Sequence, residues 1–110
     1  MNIEFSSNRV MKLCTKIKKA QKKLGVDMAR ILFRRLKQLQ SFECLEDVPP
    51  FPPFRRHKLK GDYNGFFSVT IKDGYRIVFK PIIDFDRQVE EVPLSDIKKI
   101  QIWEVTDYHG

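Results

Sequence analysis

Pro49-Pro50-Phe51-Pro52-Pro53 puts four prolines into five consecutive positions, and no other stretch of the chain limits its fold so strongly. Proline has no amide proton and restrains the residue before it, so neither a regular helix nor a central strand can pass through. An extended connector is expected. It divides the chain into halves with different hydrophobic periods. A proline-rich ligand for a recognition module is the other reading, but four prolines with Phe51 and Phe54 also make an ordinary packed crossover, which is the one adopted.

Ahead of the connector, Asn2-Ile3-Glu4-Phe5 alternates polar and apolar as a short strand does. Ser6, Ser7 and Asn8 offer N-cap side chains. Val10, Leu13, Cys14, Ile17, Ala20 and Leu24 then recur at helical spacing, with lysines on the other side and Gly25 as a C-terminal stop. This predicts one helix. Asp27 is expected to cap a second, in which Met28, Ile31, Leu32, Leu36 and Leu39 repeat the pattern through about Gln40. So short a link predicts an antiparallel helical hairpin.

Beyond the connector the period falls to two. Phe66-Phe67-Ser68-Val69-Thr70-Ile71 and Tyr75-Arg76-Ile77-Val78-Phe79-Lys80 are rich in aromatic and β-branched residues, and Lys72-Asp73-Gly74 between them supplies the turn of a β-hairpin. Pro81 ends the second strand. An acidic loop follows, with a turn of helix at Leu94-Ser95-Asp96-Ile97, and Ile100 to Val105 forms the last strand. The expected order is β-α-α-β-β-β in one domain spanning 1–110. The fold class is α+β: a small antiparallel sheet with the N-terminal helical hairpin packed on one face and the other face available.

Composition narrows the function. With 110 residues and 42% hydrophobic content the chain supports a core, and 21 Lys and Arg against 14 Asp and Glu give a net charge of +7, which favours a polyanionic partner. The charge is uneven. Lys12, Lys16, Lys18, Lys19, Lys22, Lys23, Arg30, Arg34, Arg35 and Lys37 crowd the first half, whereas Asp84, Asp86, Glu90, Glu91 and Asp96 face only Arg87 near the end. No run approaches a membrane span or a secretory signal, so a cytoplasmic protein with no membrane partner is expected. Cys14 and Cys44 have neither zinc nor redox spacing.

Asp107, Tyr108 and His109 follow the last strand, bringing a carboxylate, a phenol and an imidazole to consecutive positions. His57-Lys58-Leu59-Lys60-Gly61 leads into the hairpin, and Arg76 lies within its second strand. Neighbouring antiparallel elements would let these groups converge. RNA cleavage without metal needs a base for the 2′-hydroxyl proton, cations against the growing phosphorane charge and an acid for the departing 5′-oxygen. His57, Asp107 and His109 can move protons, Lys60 and Arg76 can supply charge, and Tyr108 can stack or bond phosphate. Zinc on His57, Asp107 and His109 lacks the usual spacing, so neither metal nor cofactor is expected. Gly61 to Gly65 lacks the lysine and hydroxyl of a phosphate-binding loop and reads as a turn.

Four segments in order resemble the HigB group of the RelE/ParE toxin superfamily: His57-Lys58-Leu59-Lys60-Gly61-Asp62, Gly65-Phe66-Phe67-Ser68-Val69, Asp73-Gly74-Tyr75-Arg76-Ile77-Val78-Phe79 and Val105-Thr106-Asp107-Tyr108-His109. They cover roughly the second half of the chain; the first half matches in layout. The resemblance implies a toxin of a toxin–antitoxin pair that cuts mRNA in the ribosomal A site and is held by an antitoxin, usually of helix-turn-helix type. His57, Asp107, Tyr108 and His109 would then be the catalytic set, with Lys58, Lys60 and Arg76 binding phosphate or RNA. Many relatives carry a further arginine where this chain has Thr70. The lysine-rich first half would dock on ribosomal RNA. The alternative on the same fold is a non-enzymatic ParE-like inhibitor, for example of DNA gyrase, which needs no proton-transfer groups.

Overall fold

The computed structural model describes residues 1–84 and 86–107. Five strands, β1 (Asn2–Phe5), β2 (His57–Lys58), β3 (Phe67–Lys72), β4 (Tyr75–Pro81) and β5 (Lys99–Asp107), form one sheet in the order β1-β5-β4-β3-β2. Helices α1 (Asn8–Thr15), α2 (Ile17–Leu24) and α3 (Val26–Ser41) lie between β1 and β2 in the chain. The α+β class is as expected, but the sheet is mixed. β1 runs parallel to β5, with Ile3 opposite Ile100 and Phe5 opposite Ile102. That register sets the apolar positions of both strands on one face, where the core holds them.

The expected single first helix is two. Ser7 caps α1 by accepting from the Val10 amide at 3.2 Å, and the helix ends at Lys16, whose backbone is extended. Just before the break, the Thr15 hydroxyl donates to the Met11 carbonyl at 2.7 Å, a local bond that competes with the helical ladder. The break also removes Ile17 from the predicted apolar stripe, leaving it 41% exposed. Gly25, with φ at +88°, joins α2 directly to α3, so Asp27 lies in the first turn of α3 and not at its cap. The terminal ammonium of Met1 donates to the carbonyls of Leu39, Gln40 and Phe42, closing the other end of α3.

Helix and sheet meet in a core of Leu32, Leu36 and Leu39 against Val69, Ile71, Ile77, Phe79, Ile100 and Ile102, with a smaller cluster of Leu13, Ala20 and Ala29 among the helices. Cys14 is buried there, and burial pushes its thiol from an ordinary 9.0 up to about 12. The unfolded chain therefore releases this proton first as pH rises. Stability is expected to fall progressively above about pH 9. Cys14→Ala should flatten that alkaline slope in urea titrations, and an unchanged slope would assign it to other groups.

The connector is turned more than extended. The Arg55 amide bonds the Phe51 carbonyl and that of Arg56 bonds Pro49, both at 3.0 Å; Phe54 is buried while Phe51 stays 63% exposed. Arg56 secures the preceding 3-10 turn, Leu45–Asp47: its Nη1 donates to the carbonyls of Leu45 (3.0 Å), Glu46 (3.1 Å) and Val48 (2.7 Å). Leu45 and Val48 are fully buried, so Arg56→Met should leave their carbonyls poorly satisfied. A loss of about 2 kcal/mol in urea unfolding is expected.

Candidate functional site

Because the helices cover one face of the sheet, the alternation of β3 and β4 decides what reaches the other. Val69, Ile71, Ile77 and Phe79 enter the core. Ser68, Thr70, Arg76, Val78 and Lys80 therefore point to the outer face. The β3–β4 hairpin turns through Asp73 (φ +51°) and Gly74 (φ +85°), the positive-φ pair that suits a two-residue hairpin loop. It pairs Lys72 with Tyr75, and an extra residue in β3, Ile71, then shifts the register so that Thr70 stands opposite Arg76 and Ser68 opposite Val78.

His57 on the edge strand stands opposite Ser68, and Glu104 stands opposite Val78 on the far side. The outer face thus carries a row His57-Ser68-Val78-Glu104 beside a second row Thr70-Arg76-Thr106. From the usual strand and residue spacings, the His57 and Arg76 backbones are roughly 12 Å apart, within reach of two long side chains converging on one phosphate. Lys60 is exposed at the cap of the 3-10 turn Gly61–Tyr63, just past this edge. Lys58 stands opposite Phe67 and so alternates away from His57.

Asp107 is placed differently. It stands opposite Tyr75, on the side of β4 that packs against the core. Together with Arg9, Lys23 and Tyr75 it lines a cleft of about 360 Å³ between β5 and the helices. The expected convergence thus joins His57 with Arg76 and leaves Asp107 on the helix side. Tyr108 and His109 lie outside the described residues.

A bulge in β5 adds groups that sequence reading did not single out. Between the pairs Phe79–Ile102 and Val78–Glu104, Trp103 is an extra residue, so Trp103 and Glu104 both serve the outer face and Val105 returns to pack on the core. Glu104 accepts a 2.6 Å hydrogen bond from the Tyr63 hydroxyl. The Lys80 ammonium sits 4.9 Å from the Trp103 ring centre and 5.9 Å from that of Phe66. Lys80 shares the parity of Arg76, a signal available in the sequence; the Trp103-Glu104 pair has none, because simple alternation would send one of them inward.

The site is not at rest electrostatically. Ser68 Oγ, Thr70 Oγ1 and Arg76 Nε are buried without a hydrogen-bond partner, and such atoms normally find one. Beneath them, Arg35 is nearly buried; its Nε donates to the Thr70 carbonyl at 3.1 Å, and its Nη1 to Gln38 Oε1 at 3.0 Å. Burial, and then the charge of Arg34, lowers the pKa of Arg35. Among the described residues no group of three or more His, Cys, Asp or Glu is placed to hold a metal ion.

The α+β fold of this chain has solved counterparts. The YoeB dimer from Staphylococcus aureus matches at TM-score 0.55 and 21% identity, over 100% of this chain and 98% of that one. YoeB in the heterotetrameric YoeB-YefM toxin-antitoxin complex from the same organism matches at TM-score 0.54 and 19% identity, with the same coverage. The chain has the fold of YoeB. No protein-family model and no curated protein matches it, and no helix among the described residues is long and apolar enough to cross a membrane.

Proposed function

We propose that this protein is the toxin of a toxin–antitoxin pair, a HigB-like endoribonuclease that cuts mRNA during translation in the cytoplasm and is held inactive by a cognate antitoxin. The observation that carries the reading is the pairing of His57 and Arg76 on adjacent rows of the outer face, within a fold shared over its whole length with YoeB. In the proposed reaction an imidazole takes the 2′-hydroxyl proton, the 2′-oxygen attacks the phosphorus, and the 5′-oxygen leaves with a proton from a second acid. Arg76 and Lys60 oppose the charge on the phosphorane oxygens. His57 and His109 are the proton carriers in this scheme, with Asp107 and Tyr108 beside His109 in the chain. No step requires a metal or cofactor.

Docking on the ribosome falls to the helical layer. Helices α1 and α2 contain no acidic residue, and Arg9, Lys12, Lys19, Lys22 and Lys23 surround one cleft there, a surface suited to ribosomal RNA phosphates. Induced expression should arrest growth and produce mRNA cuts only within translated frames. Cuts that persist when translation initiation is blocked would overturn ribosome dependence. Arrest with intact mRNA would overturn the nuclease reading itself.

A further inference from the structure

Trp103 is 37% exposed although Ile102, the residue before it, is fully buried in the core. The bulge that carries it adds a residue to β5 and shifts the pairing with β4 by one across it, and the added residue is the largest side chain available. Its ring is held firmly. The indole N–H donates to Gln101 Oε1 at 2.8 Å, Phe66 packs edge to face at 5.4 Å, and Tyr63 packs on Phe66 at 5.6 Å in the same manner. Lys80 brings an ammonium to both the Trp103 and Phe66 rings. The nearby carboxylate, Glu104, is engaged by the Tyr63 hydroxyl.

A fixed aromatic surface beside a cation suits a nucleotide, because every base offers a π-face and every linkage a phosphate. The cluster also lies on the correct side of the sheet. Lys80 follows Val78 on the outer face as Arg76 precedes it, so the His57 row is flanked by Arg76 on one side and by Lys80 with Trp103 on the other. We infer that Trp103, steadied by Phe66 and Tyr63, is a stacking subsite for a base flanking the cleaved linkage, with Lys80 taking the adjoining phosphate. The inference rests on the RNA-cleaving reading above and adds to it a place for one base.

The chain has a single tryptophan, so its emission reports this position. The full-length protein would be titrated with a mixed-sequence hexanucleotide carrying 2′-O-methyl sugars, which blocks 2′-oxygen attack. Saturable quenching of Trp103 is expected, with a much smaller effect from an abasic hexamer of equal charge. By anisotropy of the labelled hexanucleotide, Trp103→Leu and Lys80→Met should each weaken binding about fivefold or more; circular dichroism checks that both variants fold. Binding without quenching, equal quenching by the abasic strand, or unchanged affinity in both variants would overturn the subsite. The two readings separate cleanly. Quenching in a protein that leaves translated mRNA intact sinks the nuclease and keeps the nucleotide site, whereas cutting without quenching sinks the subsite alone.

Discussion

Arg76→Met is expected to lower mRNA cleavage by about 10²–10³-fold, the usual cost of losing a positioned group that stabilises transition-state charge, and at the same time to make the free protein more stable. The second half follows from burial. Arg76 Nε is shielded from water and has no hydrogen-bond partner, and an unsatisfied buried donor costs about 1–3 kcal/mol. Methionine keeps most of the side-chain volume on the row between Thr70 and Thr106 and removes the donor. A rise of about 1 kcal/mol in unfolding free energy is expected, measured as a higher urea midpoint with unchanged slope. A group kept for packing would behave in the opposite way: cleavage would hold and the midpoint would fall. The paired readout therefore tests whether the strain at Arg76 serves a bound phosphate.

Much of this face was legible before the structure was known. The Asp73-Gly74 turn is readable in the sequence and pairs Lys72 with Tyr75, and alternation along β4 sends Arg76 outward, whereas the extra residue Ile71 that sets Thr70 opposite Arg76 is not readable there. Alternation then accounts for His57, once β2 is known to pair with β3. What sequence could not show is long-range. The parallel pairing of β1 with β5 joins residues almost a hundred positions apart, and no local pattern states strand direction. The Trp103 bulge was hidden for another reason: Ile100 to Val105 reads as regular alternation, and only the pairing with β4 reveals the extra residue. The break at Lys16 escaped because Val10 to Leu24 keeps a helical spacing across it. Arg35 stands in the sequence only as one of the basic residues of the first half and Arg56 carries no signal there, yet both are tied to backbone carbonyls inside the fold. Such roles become visible only when the neighbouring carbonyls are located.

His57→Ala separates the two function classes that share this fold. The imidazole is exposed on an edge strand of two residues and takes part in no hydrogen bond or ion pair among the described residues, so its removal should change stability by no more than about 0.5 kcal/mol. Any large functional loss is then chemical. If His57 carries a proton in the reaction, cleavage of translated mRNA should fall by about 10²–10⁴-fold, and growth arrest on induction should disappear with it. The fold should be kept, because the backbone pairing of β2 with β3 is independent of the ring. His109→Ala, at a position outside the described residues, should give the same phenotype if the second imidazole is the partner in proton transfer. An inhibitor acting by surface complementarity predicts otherwise: full toxicity in both variants, with mRNA intact in the wild type as well. Loss of toxicity with a normal fold, together with loss of cuts, would leave the nuclease as the reading that accounts for both imidazoles.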